Sequence, residues 1–215
     1  MEEENNGELI KEISLASNCK LFLKCDWSVG IGGDLWTTGL SLCRHLELQK
    51  EFYLDFLRNK RIIELGSGTG LVGLYIGCLI PAKEIYLTDL STHLPIISKN
   101  IKLNQANLKC AVKEAEFDWG GEVDLGNEFD VIIATDVVYA PELYSIFINA
   151  LIKSSNPYTV ILLGVTRTDT NVTFFNLLKQ SGFAYYRVQD DKINVNNCEG
   201  TNFGLFCVFH QQTYL

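Results

Sequence analysis

Apolar residues along this chain recur with two periods in turn, and the alternation predicts a run of strands and helices. From Arg61 to Leu65 a short apolar stretch carries one acidic residue, Glu64, near its end. Glycines then occupy positions 66, 68 and 70, and a helical apolar pattern starts at once through Leu71, Val72, Leu74, Tyr75 and Ile76. That order predicts a strand, a tight turn and a helix running through Cys78. A second strand is expected over 84–89, a helix over 94–103, and a strand over 109–112 with a continuation to 115–117. The stretch 129–139 reads as a strand that is apolar for most of its length, as a parallel strand covered on both faces should be. Beyond it the pattern predicts a helix over 141–152 with Pro141 in its first turn, a strand over 159–165 and a helix over 171–180. Two last strands, 185–188 and 205–210, flank a polar loop at 190–203. With no helix between them, the final strand must run in reverse.

Upstream of Arg61 the pattern is weaker. Residues 1–10 read as a frayed lead, followed by short strands over 12–15 and 21–25 with turn chemistry at Ser17-Asn18. The linker 28–33 is rich in glycine, and Asp34 is placed to cap a helix with the apolar face Leu35, Leu40, Leu42 and Leu46. Trp36 is expected in the first turn of that helix, beside the linker. The chain thus divides into an N-terminal extension, 1–31, and one α/β domain, 32–215.

Composition narrows the class of function. The 215 residues are 47% hydrophobic and 20% charged, ordinary for a folded domain. A net charge of −8 disfavours a grip on nucleic-acid backbone and favours a basic protein partner. The seven cysteines are odd in number, scattered and without a C-x-x-C pair, which argues against a disulfide framework and a zinc site. No apolar run reaches membrane-spanning length, and the acidic start is unlike a signal peptide. A soluble monomer in the cytoplasm or nucleus is the expectation.

Candidate chemistry gathers at the predicted carboxyl ends of the strands, where open α/β sheets bind ligands. Alternating glycines leave bare backbone between the chain and a ligand. Counted from Gly68 through Gly70 to Gly73, they satisfy the dinucleotide pattern G-x-G-x-x-G. Counted from Glu64, they spell E-x-G-x-G-x-G. Asp89 ends the second strand 23 positions after Gly66, near the spacing at which a carboxylate meets ribose hydroxyls. Helix capping is its plainer alternative. Asp118-Trp119 follows the third strand, where an indole can stack on a base and a carboxylate can accept from an exocyclic amine. Asp136 and Tyr139 close the fourth strand. Trp36 is placed either to line a cleft or to fill the core. His45, His93 and His210 are dispersed and read as structural or surface residues, and Arg167 as a surface ion pair.

The set Gly66-Ser67-Gly68-Thr69-Gly70, Asp89, Asp118-Trp119 and Asp136-Val137-Val138-Tyr139, in that order on successive strand ends, resembles the seven-strand S-adenosylmethionine (SAM) methyltransferases. The D-x-x-Y ending of the fourth strand, the phrase Leu87-Thr88-Asp89-Leu90 and the upstream Gly32-Gly33-Asp34-Leu35-Trp36 resemble their family-16 protein lysine methyltransferases. The resemblance implies a Rossmann-like sheet of order 3-2-1-4-5-7-6 with its last strand antiparallel, preceded by a β-hairpin extension. It implies that Glu64, Gly66, Ser67, Gly68 and Gly70 shape the loop under the cofactor, Asp89 holds its ribose, and Trp119 flanks its adenine. Trp36 closes over it, and Thr135 and Tyr139 line the methionine end. Asp136 and Tyr139 are the implied catalytic pair, Asp136 holding either the incoming amine or the cofactor's own amino group, with SAM as cofactor and no metal. The implied partner is a protein carrying the target lysine, such as an elongation factor or chaperone. Two alternatives stay open at this level: a small-molecule or nucleic-acid acceptor, and a non-catalytic SAM-binding scaffold.

Overall fold

A computed structural model describes residues 10–14, 20–122, 124–166, 168–189 and 202–211. The expected turn at Ser17-Asn18, Arg167 and most of the 190–203 loop lie outside these residues.

The chain opens with a two-stranded antiparallel hairpin, β1 (Ile10–Ser14) and β2 (Lys20–Lys24). Helices α1 (Thr37–Leu48) and α2 (Lys50–Leu57) follow, then β3 (Arg61–Leu65), α3 (Leu71–Leu79), β4 (Glu84–Asp89) and α4 (Leu94–Asn104). The second half holds β5 (Ala111–Glu116), β6 (Val131–Thr135), α5 (Tyr144–Ser154), β7 (Val160–Thr166), α6 (Val172–Gln180), β8 (Phe183–Arg187) and β9 (Phe203–His210). Seven strands form one sheet in the order β5-β4-β3-β6-β7-β9-β8. Counted from β3, that order is 3-2-1-4-5-7-6, with β9 antiparallel to both neighbours.

Side-chain alternation on the parallel strands sorts the core into two layers. Ile62, Val131, Ile133 and Leu162 face one cluster with α1 to α4, whereas Ile63, Leu65, Ile132, Ala134, Ile161 and Leu163 face the other with α5 and α6. Helices on both sides explain why these strands read as nearly continuous apolar runs. The order of connection reverses between β3 and β6, so a crevice opens above their carboxyl ends.

Several local expectations change. Helix α2 has no counterpart in the sequence reading, and β5 is one strand rather than a segment with a continuation. Asp34 does not cap α1. Its Oδ1 accepts from Leu35 N at 2.8 Å and from Lys11 Nζ at 2.6 Å, tying the linker to the hairpin. Trp36 is the residue just before α1, in extended backbone, rather than part of its first turn. The strand expected over 129–139 is only β6, because Asp136 turns into the left-handed region at φ 55°. The helix expected from Pro141 begins as a single 3-10 turn before α5.

Helix α4 carries a feature the periodicity hides. Asn100 and Asn104, one turn apart, continue the stripe of Ile96 and Ile97 and are fully buried. Their amides pair with the backbone of β2: Asn104 with the N–H and carbonyl of Phe22, Asn100 with those of Lys24. Two helical amides thereby act as a strand edge on which the hairpin docks.

Candidate active site

Three strand ends and the linker converge on the glycine loop 66–70. Gly66, Gly68 and Gly70 have φ of 67°, 55° and 82°, in the region that disfavours any side chain. A methyl at Gly66 would lie 2.8 Å from Val137 Cγ1 and 3.2 Å from Trp119 Cζ2. Gly66 therefore sits between the residue that follows Asp136 and the indole after β5. A methyl at Gly68 would lie 2.7 Å from the carbonyl oxygen of Gly32, so the linker rests on the loop. Gly73 is different: a methyl there would meet Leu87 and Glu64, so it permits close packing of α3 on the sheet.

Asp89 ends β4 against this loop. Its Oδ2 accepts from Gly68 N at 2.8 Å and its Oδ1 from Leu90 N at 2.8 Å. Each oxygen keeps a lone pair for a further donor such as a sugar hydroxyl. Asp89 does not cap α4, whose N-cap is His93. His93, read from sequence as a dispersed structural or surface histidine, is a buried one that lies beside the site, with Nδ1 3.3 Å from Asp89 Oδ1.

Glu64 lies beneath the loop, 2% exposed, with Oε2 accepting from Gly73 N at 2.9 Å. Burial, aided by the charge of Asp89 and opposed by the Gly73 bond, pushes its carboxyl up to about 8. Burial thus favours the neutral form of Glu64 and reduces the charge it places under the site. Ser67 Oγ, His93 Nε2 and Ser154 Oγ are the buried side-chain polar atoms among the described residues without a hydrogen-bond partner. Two of these three belong to the glycine loop and its lining, which marks a place where polar groups await a ligand.

Trp119 is partly buried and packs edge-on against Phe147, with centroids 5.2 Å apart. Asp118 is exposed, and its Oδ1 accepts from Gly120 N at 3.0 Å, which shapes the turn behind the indole. Trp36 is 41% exposed and donates from Nε1 to Ile31 O at 3.0 Å, so the ring is held on the linker at the edge of the site.

The end of β6 forms the opposite wall. Asp136 donates its backbone N–H to Gly164 O at 3.1 Å, and its Oδ1 accepts from Thr166 Oγ1 at 2.9 Å. Thr135 lies against Gly39 of α1, and Tyr139 stands 47% exposed. Asn100, overlooked in the sequence reading, donates from Nδ2 to the carbonyl of Thr69 inside the glycine loop at 2.9 Å. The available signal was two asparagines four apart on an otherwise apolar helix face. Thr38 and Thr166 gave none. A bare-backbone turn, an orphaned hydroxyl, a carboxylate with spare lone pairs and a flanking indole suit a nucleoside ligand such as SAM.

Comparison with known proteins agrees. A family model described as lysine methyltransferase matches residues 15–181. The chain is 34% identical over 175 residues to protein N-lysine methyltransferase METTL21A of Danio rerio, covering 79% of this chain and 77% of that protein. It is 31% identical over 178 residues to EEF1A lysine methyltransferase 3 of Xenopus tropicalis, covering 78% and 75%. Among solved structures, a SAM dependent methyltransferase from Aquifex aeolicus superposes with a TM-score of 0.59 at 16% identity, covering 80% of this chain and 93% of that one, a likeness of fold. The chain belongs to the lysine methyltransferase family, SAM-dependent enzymes that methylate protein lysines.

Proposed function

We propose that the ε-amine of a lysine on a folded protein is delivered to the carboxyl end of β6 and methylated there, with Asp136 and Tyr139 as its receiving groups. SAM, when bound, supplies a methyl group made electrophilic by a sulfonium. Gly66, Ser67, Gly68 and Gly70 form the floor under it, Glu64 supports that floor, and Asp89 holds the ribose. Trp119 flanks the adenine, Trp36 covers the site from the linker, and Thr135 and Tyr139 line the methionine end.

The acceptor poses the chemical difficulty. A free lysine has a pKa of ~10.4, so the neutral amine is scarce near neutrality. Asp136 accepts a charge-assisted hydrogen bond from the arriving ammonium and orients it. Tyr139 narrows the approach and excludes water, which favours loss of the proton to solvent and frees the nitrogen lone pair. The observation carrying this reading is the placement of Asp136: its neighbour Val137 touches the glycine loop while Thr166 grips its carboxylate.

The net charge of −8 suits a basic protein surface. Because one relative is named for EEF1A, that elongation factor is the first substrate to assay, with chaperones next. We assign the hairpin and residues 1–31 to substrate choice, apart from the catalytic domain 32–215, and place the enzyme in the cytoplasm as a monomer that does not engage nucleic acid.

Asp136→Ala tests the assignment. Transfer of tritiated methyl from SAM to extract proteins should fall by about 100-fold, as when one partner of a hydrogen-bonded charge pair is removed. The rise in melting midpoint on adding SAM should persist. Full transfer by Asp136→Ala overturns the role.

A further inference from the structure

We infer that Thr166, backed by Thr38, is a positioning residue that fixes which oxygen of Asp136 meets the substrate amine; this rests on the reading of Asp136 given above. Three side chains from distant parts of the chain form one line. Thr38 Oγ1 in the first turn of α1 lies 3.2 Å from Thr166 Oγ1 at the end of β7, and Thr166 Oγ1 lies 2.9 Å from Asp136 Oδ1. The direction follows from proton count. An ionised carboxylate has no proton to give, so Thr166 donates its only one to Asp136. Thr166 then has only lone pairs left for Thr38, which must donate. Thr38 is 3% exposed, so water does not compete easily for this chain.

The backbone is built around the same contact. Asp136, at φ 55°, sits in a region that disfavours a residue with a Cβ and persists only where its surroundings hold it. Gly164 takes its N–H and Thr166 takes its carboxylate, so both restraints come from the last three residues of β7. Gly164 is closely packed: a methyl there would lie 3.1 Å from Thr135 Cγ2 and 3.3 Å from Thr38 Cγ2, so these side chains would have to give way. Its lack of a side chain lets α1 approach closely enough for Thr38 to reach Thr166. Two residues past Asp136, the carbonyl of Val138 accepts from Thr170 Oγ1 at 3.3 Å. The end of β7 and the segment after it thus hold the Asp136–Tyr139 turn at two alternate residues, Asp136 and Val138. Thr166 occupies Oδ1, and Oδ2 is assigned to the substrate.

The test compares Thr166→Val, which keeps the shape and removes the hydroxyl, with Thr166→Ser, which keeps the hydroxyl. The readouts are tritiated methyl transfer to extract proteins at saturating SAM, KM for SAM, and the SAM-dependent rise in melting midpoint. Thr166→Val should lower the saturated rate roughly tenfold, as for one lost hydrogen bond to a charged group, with KM for SAM and the melting response unchanged. Thr166→Ser should return the rate to within about twofold of wild type, since the hydroxyl is restored. Thr38→Val, one bond further away, should lose about threefold, and it carries the same test should Thr166→Val fail to fold. Wild-type rates in both valine variants overturn the inference, as does a serine variant as slow as valine, or a loss confined to KM for SAM. If Asp136→Ala itself transfers at full rate, the assignment of Asp136 fails, and Thr166 braces the fold only.

Discussion

Asn100 and Thr69 are joined by a buried hydrogen bond of 2.9 Å, from the side-chain amide of one to the carbonyl of the other. The same amide group also pairs with both backbone groups of Lys24. A single fully buried asparagine therefore links the N-terminal hairpin to the glycine loop, 76 residues away from Lys24 and 31 from Thr69. Asn104 docks the hairpin too, through Phe22, without touching the loop.

Asn100→Leu should lower the melting midpoint by roughly 6–12 °C. It strands three backbone partners, one buried and two part-buried, a loss of about 3 kcal/mol in a domain of this size. It should also shrink the rise in midpoint on adding SAM. Asn104→Leu should destabilise comparably yet leave the SAM response intact. Equal SAM responses in the two variants would show that the link does not reach the loop.

Gly68→Ala should abolish the SAM-dependent rise in melting midpoint while leaving a folded protein. Its φ of 55° and the Gly32 carbonyl 2.7 Å from an added methyl leave the loop nowhere to relax except by lifting the linker. Isothermal titration with SAM should find affinity weakened by at least about tenfold, the effect of 1.4 kcal/mol of strain.

Trp119→Ala should weaken SAM by roughly 5- to 150-fold, the worth of one base–aromatic stack, whereas Trp119→Phe should keep most of the affinity. The ring is wedged between Gly66 and Phe147, so a flat replacement can occupy the same slot. Equal affinity in all three proteins would place the adenine elsewhere.

Glu64 predicts a pH dependence of stability. Its carboxyl is pushed up from 4.5 to about 8 in the folded protein, so the unfolded chain releases this proton first. The folded state then holds more protons between those values, and stability falls as pH rises through the window. Glu64→Gln keeps an acceptor for Gly73 N and removes the titration. Between about pH 5 and about pH 8 the wild-type midpoint should drop relative to the variant by about 4 °C or more, equivalent to 1–2 kcal/mol here. Parallel midpoints across that range would show that Glu64 stays ionised.

Local pattern carried far into this fold and stopped at identifiable places. The parallel strands, the glycine loop and the carboxylates at positions 89 and 136 were legible because each depends on a few consecutive residues: an apolar run covered on both faces, a turn that only glycine adopts, a polar group where the run ends. The two terminal strands without an intervening helix were enough to reverse β9. Tertiary contacts decided the rest. The apolar run after Phe129 gives no sign that Asp136 leaves the strand, since the bend is imposed by Gly164 and Thr166 on the next strand. Asp34 looked like a cap until Lys11 claimed it, and His93 looked dispersed until β4 brought Asp89 beside it. Thr38 has no signature of its own, and Asn100 shows only as one of two asparagines four apart, because a buried polar side chain takes its meaning from whichever distant backbone or hydroxyl the packing sets within 3 Å or so. Sequence alone determined where the chain turns and where its charges end a strand; the folded packing determined which groups those charges meet.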